Sequence, residues 1–248
     1  MGDCEWAEFA TNLAGRYIQL LSEKLAPGLL PGGFQVSPSR SGDDDELRFS
    51  GRVSSFPQLT RVIDIFVEPL RDRMGLSASA RMVSAEVGEV IGGLPESAQL
   101  TDWADPRAEL GLVESDGFDR LITMGPYGAF ALLDESSVPG AAERVLEGVN
   151  GPVGEWFSQR DDMTKLLGLA RHPTLPSVDQ VNPNAKRLRA TVILCLLNDR
   201  LVDGAGLMGW YLGTGRYSVF DSFERATAFD VALCERFPGY AEARALIG

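Results

Sequence analysis

Histidine and lysine are nearly missing from this chain. Its 248 residues hold one histidine, His172, and three lysines, Lys24, Lys165 and Lys186. Most acid–base, metal and phosphate chemistry draws on those residue types, so most enzyme classes lack their usual groups here. Long apolar runs are missing too. The longest uninterrupted one, Val192 to Leu197, falls far short of the ~20 residues needed to cross a bilayer. Cysteine is scarce and odd in number. Cys4, Cys195 and Cys234 share no metal-ligand or redox spacing, which suits reduced thiols better than a disulfide framework. Met1-Gly2-Asp3-Cys4-Glu5 is acidic, with no basic-then-apolar signal segment. The expectation is a cytoplasmic protein that does not engage membranes.

What is present is an ordinary globular composition. Hydrophobic residues at 44% and charged residues at 23% are enough for a real core and exclude global disorder. The formal net charge is −12, which argues against direct binding to nucleic acid or anionic membrane, because phosphate dominates affinity for both. Three of the 23 basic residues are lysine, and the arginine bias of the rest points to a GC-rich bacterial genome. The densest basic cluster, Lys186-Arg187-Leu188-Arg189, spreads over too much helix arc to form one stripe. It reads as solvated charge at a helix start.

Periodicity divides the chain in two. Trp6, Phe9, Leu13, Tyr17, Leu20 and Leu21 predict an opening amphipathic helix over Asp3 to Lys24, stopped by Pro27-Gly28. Short apolar or alternating runs at Phe34–Val36, Leu47–Val53 and Val62–Val67 predict an antiparallel meander. Ser77 to Ile91 leans to a helix ending at Gly92-Gly93. Phe118–Met124 and Ala129–Leu133 flank Gly125-Pro126-Tyr127-Gly128, which predicts a hairpin. Beyond Pro139 the spacing is helical throughout, over 140–149, 153–171, 185–198, 204–212 and 222–237. His172 to Pro183, with three prolines, reads as a loop. The fold class is therefore α+β, an N-terminal helix plus antiparallel sheet followed by an all-helical part. The division expected is residues 1–136 for the sheet domain and 137–248 for the helices, either separate or packed as one unit with the first. The element order of the N-terminal half is analogous to small secretion-chaperone-like folds, an analogy of order alone.

Gly204-Ala205-Gly206-Leu207-Met208-Gly209 matches the dinucleotide pattern G-x-G-x-x-G, which requires a tight strand-to-helix turn. No strand directly precedes it, and too little chain follows for a Rossmann half. Small residues packing a helix closely explain it better. Asp43-Asp44-Asp45-Glu46 puts Leu47, Arg48 and Ser54 at positions five, six and twelve, so it fails as an EF-hand. It reads as a charged loop keeping a sheet edge soluble. His172 stands at a predicted helix C-terminus, where the dipole is a sufficient reason for it. Cys195 lies inside an apolar run and should be inert. Acidic pairs such as Asp161-Asp162, or Asp102 and Asp105 around Trp103, are inevitable with 35 acidic residues, and none is marked out as catalytic. No metal site and no cofactor is expected.

Packing alone explains Trp210-Tyr211-Leu212-Gly213-Thr214-Gly215-Arg216-Tyr217 least well. Three aromatics and an arginine at a helix-to-loop transition have the composition of a binding hot spot. The candidate binding residues are Trp210, Tyr211, Arg216 and Tyr217, with Trp156 and Arg160 as a second aromatic–arginine pair. The function expected is a non-catalytic, acidic protein-interaction module of a bacterial cytoplasm, binding a partner with a basic surface as immunity proteins or secretion chaperones do. The alternatives are an enzyme using carboxylates and an acidic regulator that mimics DNA.

Overall fold

The computed structural model describes residues 3–37, 46–70, 73–104, 109–122, 130–173 and 182–247. It is α+β, as the periodicity predicts. Helix α1 (Asp3–Leu29) is followed by β1 (Gln35–Ser37), β2 (Glu46–Arg52), β3 (Thr60–Pro69) and β4 (Met74–Val83), then by α2 (Ala85–Gly92), β5 (Leu112–Gly117), α3 (Phe118–Leu121) and β6 (Phe130–Leu132). From Val138 onward the described residues form helices only: α4 (Val138–Asn150), α5 (Pro152–Ser158), α6 (Met163–Ala170), α7 (Ala185–Leu197), α8 (Leu201–Thr214), α9 (Phe223–Arg236) and α10 (Pro238–Ile247). The antiparallel sheet has the order β1-β2-β3-β4-β5, with β6 also on β4. Val192 to Leu197 is helix rather than parallel strand, which removes the sheet a Rossmann reading would need. The expected charged loop at Asp43–Asp45 lies outside the described residues, and Glu46 opens β2.

Four boundaries differ from the sequence reading. Helix α1 runs through Pro27 to Leu29: the proline forgoes the backbone bond its N–H would make to the preceding turn, and packing outweighs that loss. Leu25 and Leu29 are buried, and a Cβ on Gly28 would lie 2.7 Å from Leu146 Cδ2 of α4. The leaning to helix over Ser77 to Ile91 is wrong for its first half. Leu76, Ala78, Ala80 and Met82 alternate as buried strand positions, a pattern hidden by alanines that favour helices equally. Ser84 then caps α2 through the Val87 N–H. The expected hairpin does not form from its first arm: Phe118–Leu121 is a helical turn, and β6 pairs with β4, Met74 opposite Leu132. Its Gly-Pro-Tyr-Gly turn lies outside the described residues. The helix expected over Val153 to Arg171 breaks into α5 and α6, since Asp162 caps a new start at the Lys165 N–H.

Compactness groups the chain into two units, residues 1–82 with 115–159, and residues 83–114 with 160–248. In the first unit, Ala14, Tyr17, Leu21, Leu25 and Leu29 make the buried stripe of α1. Leu47 and Phe49 of β2 stand opposite Ile65 and Ile63 of β3 on the apolar face. The alternate positions carry charge. Arg48 is directly opposite Asp64, its Nε and Nη2 donating to Oδ1 and Oδ2 at 2.6 and 3.0 Å. Arg81 Nη1 adds a bond to Oδ2 at 2.8 Å, and Asp64 is fully buried. A carboxylate shared by two guanidiniums at low dielectric is costly to lose, because the charges it neutralises stay inside. Asp64→Ala should therefore lower stability by about 3–5 kcal/mol in urea titration. A loss below about 1 kcal/mol would show that the pair behaves as if solvated.

Candidate functional site

The second unit is organised around α7. Every residue from Ala185 to Leu196 is buried except Lys186, so the helix meets protein on all sides. Arg187 and Arg189 are two residues apart, about 200° around the axis, and each is nearly inaccessible. This corrects the reading of 186–189 as solvated charge. Arg187 Nη1 donates to Glu114 Oε1, its Nη2 to the His172 carbonyl, and Arg160 Nε donates to Glu114 Oε2 at 2.7 Å. Arg189 forks onto Asp221, Nε to Oδ2 at 3.0 Å and Nη2 to Oδ1 at 2.5 Å. Its Nη1 reaches the Ala98 carbonyl at 2.6 Å, and the Phe229 ring lies 4.6 Å from the guanidinium carbon. Burial pulls both arginines below the usual guanidinium range, and Glu114 and Asp221 oppose it. Lys186 pairs with Asp102 at 2.5 Å. Of the two aspartates around Trp103, Asp105 lies outside the described residues.

The aromatic segment ends α8. Tyr211 is fully buried, its phenol donating to Asp221 Oδ2 at 2.8 Å. Burial, then the Asp221 charge, pushes that phenol up. Gly215 ends the helix in the left-handed region at φ 64°, where glycine carries no Cβ penalty. The chain then turns back. Tyr217 stacks edge-on against Tyr211 at 5.1 Å, donates its hydroxyl to the Leu212 carbonyl, and its own carbonyl accepts from Asn182 at 2.9 Å. Trp210 is half-buried under the Arg171 guanidinium, 5.4 Å away. Arg216 is exposed. Tyr211 and Tyr217 are thus brought together, Tyr211 as an internal anchor. Trp156 lies in the first unit, buried edge-on against Phe157 at 5.3 Å, and Arg160 in the second holds Glu114.

The glycine pattern falls wholly inside α8. A Cβ on Gly204 would lie 2.8 Å from Leu196 Cδ1, and one on Gly209 3.0 Å from Arg244 Nη1. Those two glycines admit α7 and α10, and no phosphate-cradling turn exists there. The His172 side chain is exposed, while its carbonyl serves Arg187. Among the described residues no group of three or more His, Cys, Asp or Glu could hold a metal ion, and no helix is long and apolar enough to cross a membrane. Comparison with family models, curated proteins and solved structures finds no match. Sequence reasoning missed Arg187, Arg189, Glu114 and Asp221. The available signal was the apolar run directly after Arg189, which marks a helix buried all round and therefore buries its arginines.

Two measurements check this geometry. Tyr211→Phe removes one bond to an ionised acceptor and should cost about 1.5–3 kcal/mol. Asp221→Ala, which strands Arg189 inside, should cost more, about 3–5 kcal/mol. Equal losses in denaturant titration would contradict the shared-carboxylate arrangement.

The second measurement concerns Cys195, whose thiol burial pushes up to about 12, with the Asp203 charge adding to it. The unfolded thiol titrates near 8.5. Its contribution is therefore complete below that value and is lost as pH rises toward about 12, at about 1.4 kcal/mol per pH unit. Between about pH 9 and 10.5, Cys195→Ala should lose stability less steeply than the wild type. Parallel slopes would mean that the native thiol ionises freely.

Proposed function

We propose that this protein works by binding another protein, an acidic interaction module of a bacterial cytoplasm whose partner carries a basic surface, in the manner of immunity proteins or secretion chaperones. The observation that carries the reading is the end of α8. Arg216 is exposed and Trp210 half-exposed there, on a segment anchored through Tyr211 and Asp221. Aromatic and arginine side chains held in place before association lose little entropy on binding, which is the economy of a hot spot. Among the described residues, the deeply buried carboxylates of Asp64, Asp221 and Glu114 are each held by arginines, so they are structural counter-ions. The net charge of −12 supports a cationic partner and attraction that salt weakens.

The test is a pull-down from host lysate at low and high salt, with captured proteins identified by mass spectrometry. The wild type should retain a basic protein at low salt and release it as the Debye length contracts from about 8 to about 3 Å. A Trp210→Ala, Arg216→Ala double variant should lose that protein while melting cooperatively. Retention of a specific small molecule instead would favour an enzyme, and capture of a DNA-binding protein that free DNA displaces would favour the DNA mimic.

A further inference from the structure

The loop from α8 to α9 continues past Tyr217 into a stretch that folding alone does not explain. Its backbone is pinned. The Thr101 N–H and hydroxyl both donate to the Phe220 carbonyl, at 3.1 and 3.3 Å. The Asp221 N–H donates to the Ser218 carbonyl at 3.0 Å, and the Asp221 carboxylate is held by Arg189 and Tyr211. Fixing Asp221 inside turns its neighbours outward. Val219 is 90% exposed, Phe220 46% and Phe223, the first residue of α9, 54%. Within residues 219–223, on an ordered scaffold, Val219 thus faces water and Phe220 and Phe223 each leave about half of their surface open to it, the Phe223 ring resting edge-on against Tyr217 at 6.3 Å.

The charges nearby are mainly acidic. Glu224 is exposed beside Phe223; bonds from its own backbone and Ser222 hold its carboxyl below the usual range, and its charge reaches the Tyr217 phenol. Glu96 is exposed on the neighbouring turn, whose carbonyl Arg225 binds at 3.2 Å. Arg225 itself is occupied by the Glu96 and Gln99 carbonyls, and Arg216 is the exposed cation at the far end of the loop. A second copy of this chain is a poor occupant. It would bring −12 against −12, and an isologous contact would turn the same acidic surface, with Glu96 and Glu224, toward itself.

We infer that Val219, Phe220 and Phe223 form a preformed docking surface for an apolar segment of a partner protein flanked by cationic side chains. This rests on the reading of the chain as a protein-binding module, and it names the surface and the chemistry of its partner. The apolar side chains supply affinity through desolvation, and Glu96 and Glu224 select the basic flanks.

The direct test uses three synthetic amphipathic peptides of about 20 residues, long enough to form a helix: one of leucine and lysine, one of leucine and glutamate, one of serine and lysine. Binding is read by fluorescence anisotropy. The leucine–lysine peptide should bind, more weakly as salt rises, and the other two should not. Val219→Ser with Phe220→Ser should weaken it at least about tenfold, the size of a hot-spot loss, and Glu224→Gln several-fold, with melting temperatures unchanged. Equal binding by wild type and the serine variant overturns the inference, as does indifference to the sign of the peptide's charge. Sedimentation of the free protein is the control for self-association; a dimer abolished by the serine variant also overturns it. A host partner that this variant retains at wild-type level overturns the docking surface and leaves the binding-module reading standing. If the wild type retains no host protein at all, that reading fails as well.

Discussion

An arginine carried into a protein interior must be met by a carboxylate, and that constraint shapes this chain more than any other. Helix α7 is the clearest case. It is buried all round, yet it carries Arg187 and Arg189 on opposite sides. Charges of that kind cost several kcal/mol each to desolvate unless partners with good geometry are waiting. Glu114 on β5 and Asp221 at the start of α9 are those partners. Elements distant in sequence from α7 are thereby fixed to its two sides. The same solution recurs on the sheet, where Asp64 serves both Arg48 and Arg81. Ion pairs of this type are poor sources of net stability compared with apolar packing. They are demanding in geometry, however, and Arg189 with its forked bonds to Asp221 admits one arrangement of the α8–α9 loop.

Architecture was legible in the sequence wherever side chains reported their own period. The meander over β1, β2 and β3 showed because Leu47, Phe49, Ile63 and Ile65 alternate with polar residues, and α9 showed through Ala226, Phe229 and Leu233. The misreadings have physical causes. Strand β4 presents alanine and serine, whose period is weak and whose propensity is not that of a strand. Pro27 stays inside α1 because contact with Leu146 outweighs one missing backbone bond. Strand β6 pairs with β4, which lies far off in sequence, and local turn chemistry cannot announce such a pairing.

The site was half legible. Composition picked out Trp210, Tyr211, Arg216 and Tyr217, and three of these retain exposed or partly exposed side chains. Tyr211 does not, because its hydroxyl is the fourth donor to Asp221, after the two Arg189 nitrogens and the Ser222 N–H. No local pattern reveals that, since Arg189 and Asp221 are 32 residues apart. The outward turn of Val219 and Phe220 is equally hidden. In the sequence Val219-Phe220 has no assigned role, and its exposure follows from the internal placement of Asp221.

Anchor and display are therefore two consequences of one residue. Once Asp221 points inward to neutralise Arg189, the residues directly before it follow the backbone outward, and Thr101 fixes them there. The interior chemistry also sharpens the surface. Glu114 draws Arg160 and Arg187 into the interior, and Asp221 draws in Arg189. Withdrawing arginine from the surface and holding apolar side chains at it act in the same direction, favouring a partner that brings its own cations and has an apolar face to cover.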